Sequence, residues 1–586
     1  MGISFAQGSS KVALTSYVYQ NSCALLPLTL LIKMRHRSTQ SPEKNPAVTR
    51  KAGVLAAAVF CALASFNAVA TETKPVVITT KTTYIDPVQI TNTIAGTYNG
   101  TESYLTGIMV TGTAGKLTGQ NSLTINLTNP SSGAAGSSDL ILLGVDEGAT
   151  LNWTGDLRLS SSSSHSFLGT CGLGVWASKA DIKGNVDINL VDSADFSGKN
   201  KHQYVIGIDL TNPSVGDVSN LSISDGTLNV SVSSAGRESH YTDNDRTKTR
   251  GRTVIGLRME DIGSTFKVDS SSTSVKADAV RGNATGLDAR NQAKLIGTGA
   301  ISITTSAGMS ATGIEVRDGA TVEWTGDLTG LSTLHSIKVA DADNEAGNLG
   351  IFHPDNDGQE PYVPSSITVS GNIDLTSTAT GGVENNNVFA YNVVLDTEKN
   401  KDETNGLKDK ITLGAADKTV KLSASVLSSV AGDEANSLAI ENGTVEILGQ
   451  SVSISASAEG SGSAIGVFMN GGQVDLGSAG GKVDISAKDS SGTAKALDIQ
   501  AGTLNLNGDT TISSGIISSG IVSPDNEGSL GNGKIVVNGN LNLGSLEIIN
   551  GNALTINGSV TTTSGCVFTN AASDTQTTIG EILYTG

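Results

Sequence analysis

The ten residues Gly148-Ala149-Thr150-Leu151-Asn152-Trp153-Thr154-Gly155-Asp156-Leu157 return 171 positions later as Gly319-Ala320-Thr321-Val322-Glu323-Trp324-Thr325-Gly326-Asp327-Leu328, with eight of the ten identical. Two of the chain's three tryptophans occupy the same place in this unit. A near-copy at that distance makes the chain a repeat protein, and a repeat restricts the fold more than any single motif does. Other stretches then become looser versions of one phrase.

That phrase is a glycine between aliphatic or small residues, followed by alternating residues, a turn and two more alternating runs. It occurs as Leu143-Gly144-Val145, Leu173-Gly174-Val175, Ile206-Gly207-Ile208, Ile255-Gly256-Leu257, Ala284-Thr285-Gly286-Leu287 and Ala311-Thr312-Gly313-Ile314. Later it is Ile465-Gly466-Val467, with an echo lacking glycine at Ala496-Leu497-Asp498-Ile499. The glycines 144, 174, 207, 256, 286 and 313 are separated by 30, 33, 49, 30 and 27 residues, a period of about 30. In the clearest unit Ile314 and Val316 alternate with Glu315, Asp318-Gly319 turns, 321–325 alternates again, and Gly326-Asp327 turns. Period-2 runs of three to five residues bounded by Gly, Asn or Asp are strands too short to stand alone. Beyond the leader no stretch shows a 3.6-residue period, so helices are expected to be nearly absent.

Three short strands in about 30 residues exclude most β architectures. A propeller blade needs about 40–45 residues, four strands and aromatic signatures. A sandwich needs longer strands around an aromatic-rich core, whereas aromatics are 4% of this chain. The expected fold is all-β: a parallel β-helix (β-solenoid) of about 30-residue coils, with Val, Ile, Leu and Ala inside, Ser and Thr outside, and Gly and Asn at the corners. The length agrees, because a single compact core stops growing near 250–300 residues and this chain has 586.

The N-terminal part has different chemistry. Residues 1–70 hold seven basic residues and one acidic one, leaving −24 for the remainder against −18 overall. An acidic body repels nucleic-acid backbones and anionic lipid, so no nucleic-acid partner is expected. Residues 12–32 are interrupted by Asn21, Ser22 and Pro27 and do not form a clean spanning run; Met34 is the expected start. A basic stretch (Arg35, Arg37, Lys44, Arg50, Lys51), an apolar run over 52–66 and the ending Ala68-Val69-Ala70 have the form of a Sec signal peptide, with cleavage between Ala70 and Thr71. The Sec export machinery is therefore an expected partner. Residues 71–100 are expected to cap the stack, and 101–586 to form its repeats. Insertions are expected near 236–252, 340–363 and 381–410, where charge and turn-forming residues collect and where repeat proteins often bind.

Candidate chemistry is sparse. After cleavage only Cys171 and Cys566 remain, 395 residues apart, which fits small buried hydrophobes better than a disulfide framework. Histidines 165, 202, 240, 335 and 353 stand in separate contexts. Asp355-Asn356-Asp357-Gly358 with Glu360, and Asp243-Asn244-Asp245, fail the EF-hand spacing. Asp156 and Asp327 recur at a turn and are turn formers first. Trp153 and Trp324 suit packing, with sugar stacking as the alternative. No nucleophile elbow appears. No catalytic, cofactor-binding or metal-binding residue is assigned, no cofactor is expected, and the chain is not expected to be an enzyme.

The basic leader with its signal peptide, the Gly/Ser/Thr/Asn-rich repeats and phrases such as Gly148-Ala149-Thr150-Leu151 and Gly319-Ala320-Thr321-Val322 resemble the passenger region of a bacterial autotransporter (type V secretion), of the adhesin-like kind. The resemblance spans 34–586 and rests on pattern and composition more than on a diagnostic motif. It implies export, display at the cell surface or outer membrane or release outside the cell, and adhesion through a host-surface or glycan ligand. It also implies an outer-membrane translocator barrel as partner; the expectation here is that such a barrel lies beyond this sequence or on a separate protein. Two alternatives stay open: a carbohydrate-active β-helix enzyme (polysaccharide lyase or hydrolase), and a structural surface spacer.

Overall fold

The computed structural model describes residues 69–70, 76–84, 88–93, 104–129, 139–163, 169–193, 203–212, 216–236, 239–243, 246–335, 344–352, 363–381, 387–396, 408–428, 432–490, 494–519, 531–544, 547–562, 566–570 and 576–584. The chain divides into two compact units, Met1–Thr71 and Glu72–Gly586. The basic leader, the apolar run 52–66 and Thr71 lie outside the described residues; Ala70 ends the two-residue strand Val69–Ala70.

Among the described residues of the second unit there is no helix. Its described strands form one long parallel stack, with one antiparallel hairpin among them set apart from it. Strands come in threes, and each pairs with its counterpart in the preceding and following triplet, which generates three ladders. Gly169–Trp176 pairs with Asp139–Asp146 and Tyr204–Thr211 on the first ladder. Lys179–Lys183 pairs with Thr150–Thr154 and Asn220–Ser224 on the second. Val186–Asp192 pairs with Leu157–Ser163 and Thr227–Ser234 on the third. The strands Val76–Ile78, Lys81–Tyr84 and Val88–Thr93 already lie on these ladders, pairing with Tyr104–Thr111, Lys116–Gln120 and Leu123–Asn129.

Period-2 alternation does the sorting on the second and third ladders. Lys179–Lys183 is exposed, buried, exposed, buried, exposed, and Leu157–Ser163 buries its first, third, fifth and seventh residues. Aliphatic residues therefore form inner columns such as Leu117, Leu151, Ala180 and Leu221, all buried. One strand cannot bury its inner row alone; the neighbouring rungs supply both the hydrogen bonds and the apolar contact.

The first ladder departs from strict alternation, and this changes the repeat register expected from sequence. Gly174 aligns with Gly144 but also with Asp209, so it is Gly172 that shares a column with Gly207, Gly256, Gly286 and Gly313. The phrase Leu173-Gly174-Val175 thus belongs two positions further along than Ile206-Gly207-Ile208. In this column two successive residues face inward, because Ile208 is in the core while a Cβ on Gly172 would lie 2.6 Å from the Gly207 oxygen and 2.7 Å from Ile188 Cγ2. Glycine is needed there for close approach to the third ladder.

Further along, that column changes character. Its occupants become Asn348, Asn392 and Ser437, all buried. Asn348 Nδ2 donates to Asn392 Oδ1 (2.9 Å), and Asn392 Nδ2 donates to Ser437 Oγ (3.1 Å). Ser332 Oγ donates to the Gly347 carbonyl at 2.7 Å and lies 2.8 Å from Thr305 Oγ1. This buried polar ladder separates the main apolar core from a smaller, alanine-rich cluster that includes Leu334, Ala379, Ala390, Val426 and Ala435. The strands carrying it, Asn344–Phe352 and Val388–Asp396, fall inside the segments 340–363 and 381–410 expected as insertions. Their inward asparagines interrupt the apolar pattern, which is why the sequence reads there as loop.

Corners between the second and third ladders are fixed by glycine and by side-chain amides. Gly155 (φ 131°) and Gly326 (φ 146°) take left-handed backbone, and a Cβ on either would overlap the carbonyl oxygen of Asn121 or Gly299 in the rung before. The aspartate that follows each accepts from an asparagine one rung on: Asn185 Nδ2 to Asp156 at 3.0 Å and Asn372 Nδ2 to Asp327 at 3.1 Å. Each asparagine oxygen then accepts from the next rung's backbone, from Thr227 N at 3.1 Å and Thr419 N at 3.0 Å. Asp509, Asn540 and Ser559 repeat the arrangement a third time.

Candidate functional site

The outer face of the first ladder is where polar chemistry concentrates. Position by position, Asp209, Arg258, Asp288 and Glu315 form one column in adjacent rungs. Two residues on, Glu260, Arg290 and Arg317 form the next. Strand geometry puts residues two apart on one face, so the columns make a mixed-charge strip. Arg258 binds Asp209 with two parallel hydrogen bonds, Nε to Oδ1 at 2.8 Å and Nη2 to Oδ2 at 3.0 Å. Arg290 grips Asp288 through Nε at 2.6 Å and through Nη2, and Arg317 pairs with Glu315. Asp288 is fully buried under these contacts and Asp209 nearly so. Forked pairs of this kind are the strongest and most directional ion pairs available to a side chain.

Half-buried aromatic rings flank the strip. Trp176 lies over Gly174, its ring occupying the place a Cβ would take, and donates Nε1 to Asp209 Oδ2 at 3.0 Å. Phe352 lies over Gly350 in the same way. Arg258 also stacks on Tyr204, 5.7 Å from the ring centroid. Beside the strip runs an outer apolar column of Ile141, Cys171, Ile206 and Ile255, all buried although the strands facing the core lie on the other side.

Titration behaviour marks the same face. Burial would lower Arg258 and Arg290, but Asp209 and Asp288 more than reverse it and hold both guanidiniums above their ordinary value. Arg317 is pulled down by burial and by the like charge of Arg290. Burial raises Glu260, opposed by Arg258 and Arg290; it likewise raises Asp139, Asp146 and Glu434. Cys171 is driven up by burial and then by Asp209, and Tyr391 by burial and then by Glu345. Among the described residues, only Arg252 and the exposed pair Asp417 and Lys418 shift clearly elsewhere. Perturbed groups gathered on one surface are a recognised mark of a functional site.

The residues singled out from sequence are placed differently. Trp153 and Trp324 are 1% and 3% exposed and point into the core, which removes them as sugar platforms; the third tryptophan, Trp176, faces outward. Asp156 and Asp327 hold corners. Cys171 and Cys566 are free thiols, the first buried on the strip's own face. His335 ends the strand Leu328–His335 and is exposed; His240 lies in the hairpin. His165, His202, His353, residues 355–358, Glu360, Asn244 and Asp245 lie outside the described residues. Among the described residues no group of three or more His, Cys, Asp and Glu could hold a metal ion.

Sequence inspection missed the strip because its members are 27 to 49 residues apart. The available signal was an i, i+2 charge pair at one point of the repeat: Arg258/Glu260, Asp288/Arg290 and Glu315/Arg317. Comparison of the chain with protein-family models, with curated proteins and with solved structures finds no match.

Proposed function

We propose that this chain is the passenger of a bacterial type V secretion system, a parallel β-helix displayed at the cell surface or released, which acts in adhesion or surface interaction. The carrying observation is the outer face of the first ladder, where forked arginine–carboxylate pairs, half-buried aromatic rings and the shifted titratable groups collect. Fixed ion pairs present charge in a set pattern without rearranging, which suits recognition. Asp209 and Asp288 are each held in place by an arginine, which favours a fixed binding surface. Three ladders of short parallel strands with free cysteines also suit a chain exported unfolded through the Sec route.

The test is binding of residues 71–586 to host-cell surfaces and to a glycan array, alongside an Arg258→Ala, Arg290→Ala variant. Retained binding by the variant, with its fold intact, would move the interaction away from this face. N-terminal sequencing of exported material is expected to begin at Thr71.

One observation favours a second reading, a carbohydrate-active enzyme. Glu260 is half-buried with its carboxyl raised, as a general acid requires. Release of product from acidic polysaccharides, abolished by Glu260→Gln, would establish it.

A further inference from the structure

The outer face of the third ladder differs in chemistry from the strip on the first. Three outward rows run along it, starting at Thr124, Asn126 and Thr128. They pass through the partners of those residues in the next ten rungs, as far as Asp484, Ser486 and Lys488. These 33 positions hold four cations, Arg158, Lys276, Lys421 and Lys488, and four carboxylates, Asp187, Asp278, Asp374 and Asp484. Their net charge is zero, on a chain whose residues 71–586 carry −24.

The charges also offset one another locally: Arg158 lies 4.0 Å from Asp187, and Lys421 lies 3.7 Å from Asp374. All other positions are Ser, Thr or Asn, apart from Val191 and Leu331, both exposed. From Thr304 to Ser457 the second and third rows carry no charge at all. Hydroxyls there bond within their rows: Thr378 Oγ1 and Ser425 Oγ are 3.2 Å apart, and Ser455 Oγ donates to Ser423 Oγ at 3.1 Å. Hydroxyls already bonded to each other can be covered without stranding a donor. Short side chains also lose little freedom when they are covered.

We propose that this face pairs two copies of the chain in an antiparallel two-fold dimer. Charge decides the partner. Two bodies of −24 repel wherever their acidic surfaces approach, and the neutral face lets them meet without bringing like charges together. A two-fold axis across the rung of Ser302, Thr304 and Ser306 sets Asp187 of one copy opposite Lys421 of the other. It places no charged position of the three rows opposite one of the same sign. The size agrees as well. Rungs about 4.8 Å apart and rows about 7 Å apart give a face of roughly 50 by 15–20 Å. That is roughly 750–1,000 Å² per copy, against the ~800 Å² that each partner of a stable complex covers. A self-complementary patch closes at two copies. The pairing uses neither the ion pairs of the first ladder nor the ligand proposed for them.

The test is sedimentation of residues 71–586 over a range of concentrations, at low and physiological salt. The native chain is expected to form dimers, more tightly as salt screens the repulsion between the two acidic bodies. Two variants, S302E/T304E and S302K/T304K, put like charges where the copies meet at the axis. Each alone should dimerise roughly tenfold or more weakly through repulsion across the contact, and mixing the two in equal amounts should restore a dimer. Both should melt as the native chain does, since Ser302 and Thr304 point outward. Arg258→Ala with Arg290→Ala, on the first ladder, should leave dimerisation unchanged. The proposal fails if the native chain stays monomeric in both salts, or if its dimers dissociate as salt rises. It fails equally if either charged variant dimerises as well as the native chain, or if mixing restores nothing. Loss of dimers in the arginine variant would place the contact on the first ladder and overturn it too.

Discussion

The indole of Trp153 occupies the space a Cβ on Gly119 would need, one rung earlier on the same inner column of the second ladder. Trp153 Nε1 donates to the Asn121 carbonyl at 3.0 Å, two residues beyond that glycine. Trp324 repeats the relationship with Gly297 and donates to the Gly299 carbonyl at 2.7 Å. The repeated decapeptide is therefore half of a longer agreement: a ring too wide for one rung is accommodated by a glycine in the rung before it.

Truncation of Trp153 to Ala should cost about 3–5 kcal/mol of local stability by opening a cavity, and Gly119→Ala about 1–3 kcal/mol by overpacking. Gly119→Ala combined with Trp153→Leu should cost less than the sum, because the smaller side chain vacates the space the new methyl needs. Long repeat arrays need not unfold in one step, so the measurement is amide-exchange protection in Lys116–Gln120 and Thr150–Thr154. Strict additivity would contradict the coupling.

At the corners, Asn372→Ala removes the bond to Asp327 and frees Thr419 N, and is expected to cost about 0.5–1.5 kcal/mol per hydrogen bond lost. Asn372→Asp should be worse at neutral pH, since two carboxylates would then meet where an amide now donates. That excess should disappear as pH falls through the carboxylate range and one of them protonates. Melting curves of both variants at neutral and acid pH provide the comparison.

In the buried polar ladder, Asn392→Ala leaves Asn348 Nδ2 without its acceptor, while the Ser437 hydroxyl keeps its bond to the Ser455 carbonyl at 2.7 Å. A stranded buried donor costs about 1–3 kcal/mol. Exchange protection should fall first in Asn344–Phe352, Val388–Asp396 and Glu434–Ile440, while Asp139–Asp146 remains protected. A uniform loss along the whole stack would mean the ladder is not a local element.

Glu434 provides a pH test with a definite sign. Burial holds its carboxyl above the ordinary glutamate value of 4.5, so the folded state favours the protonated form. Its relative stabilisation is present below that ordinary value and is lost as pH rises through the raised one. Glu434→Gln should therefore raise the melting temperature at neutral pH and leave it nearly unchanged in acid. A gain of equal size at both pH values would place the effect elsewhere.

Much of the architecture was legible in the sequence, because period-2 alternation and turn glycines are local signals. Short strands, near absence of helix and the corner role of Gly155-Asp156 and Gly326-Asp327 all followed from neighbouring residues. The corner asparagines were legible too, as Gly-Asn before an aliphatic residue at 184–186, 371–373 and 539–541, one rung after a Gly-Asp. Register was not. Gly174 and Gly207 look equivalent in sequence, yet only cross-rung pairing shows that Gly172 is the true counterpart of Gly207. Asn348 and Asn392 look like loop residues until each is seen to satisfy the next inside the core.

What the sequence determined by itself is the repeating unit: which residues extend, where they turn and which side is apolar. What only the tertiary structure decided is which residues of different rungs meet. Stacking brings Asp209, Arg258, Asp288 and Glu315 together from positions 27 to 49 apart, since variable segments between strands change the spacing in sequence without changing the order of the ladder. It also turns two tryptophans inward and one outward. Those outcomes depend on the glycine or carboxylate supplied by another rung, and no local pattern encodes that partner.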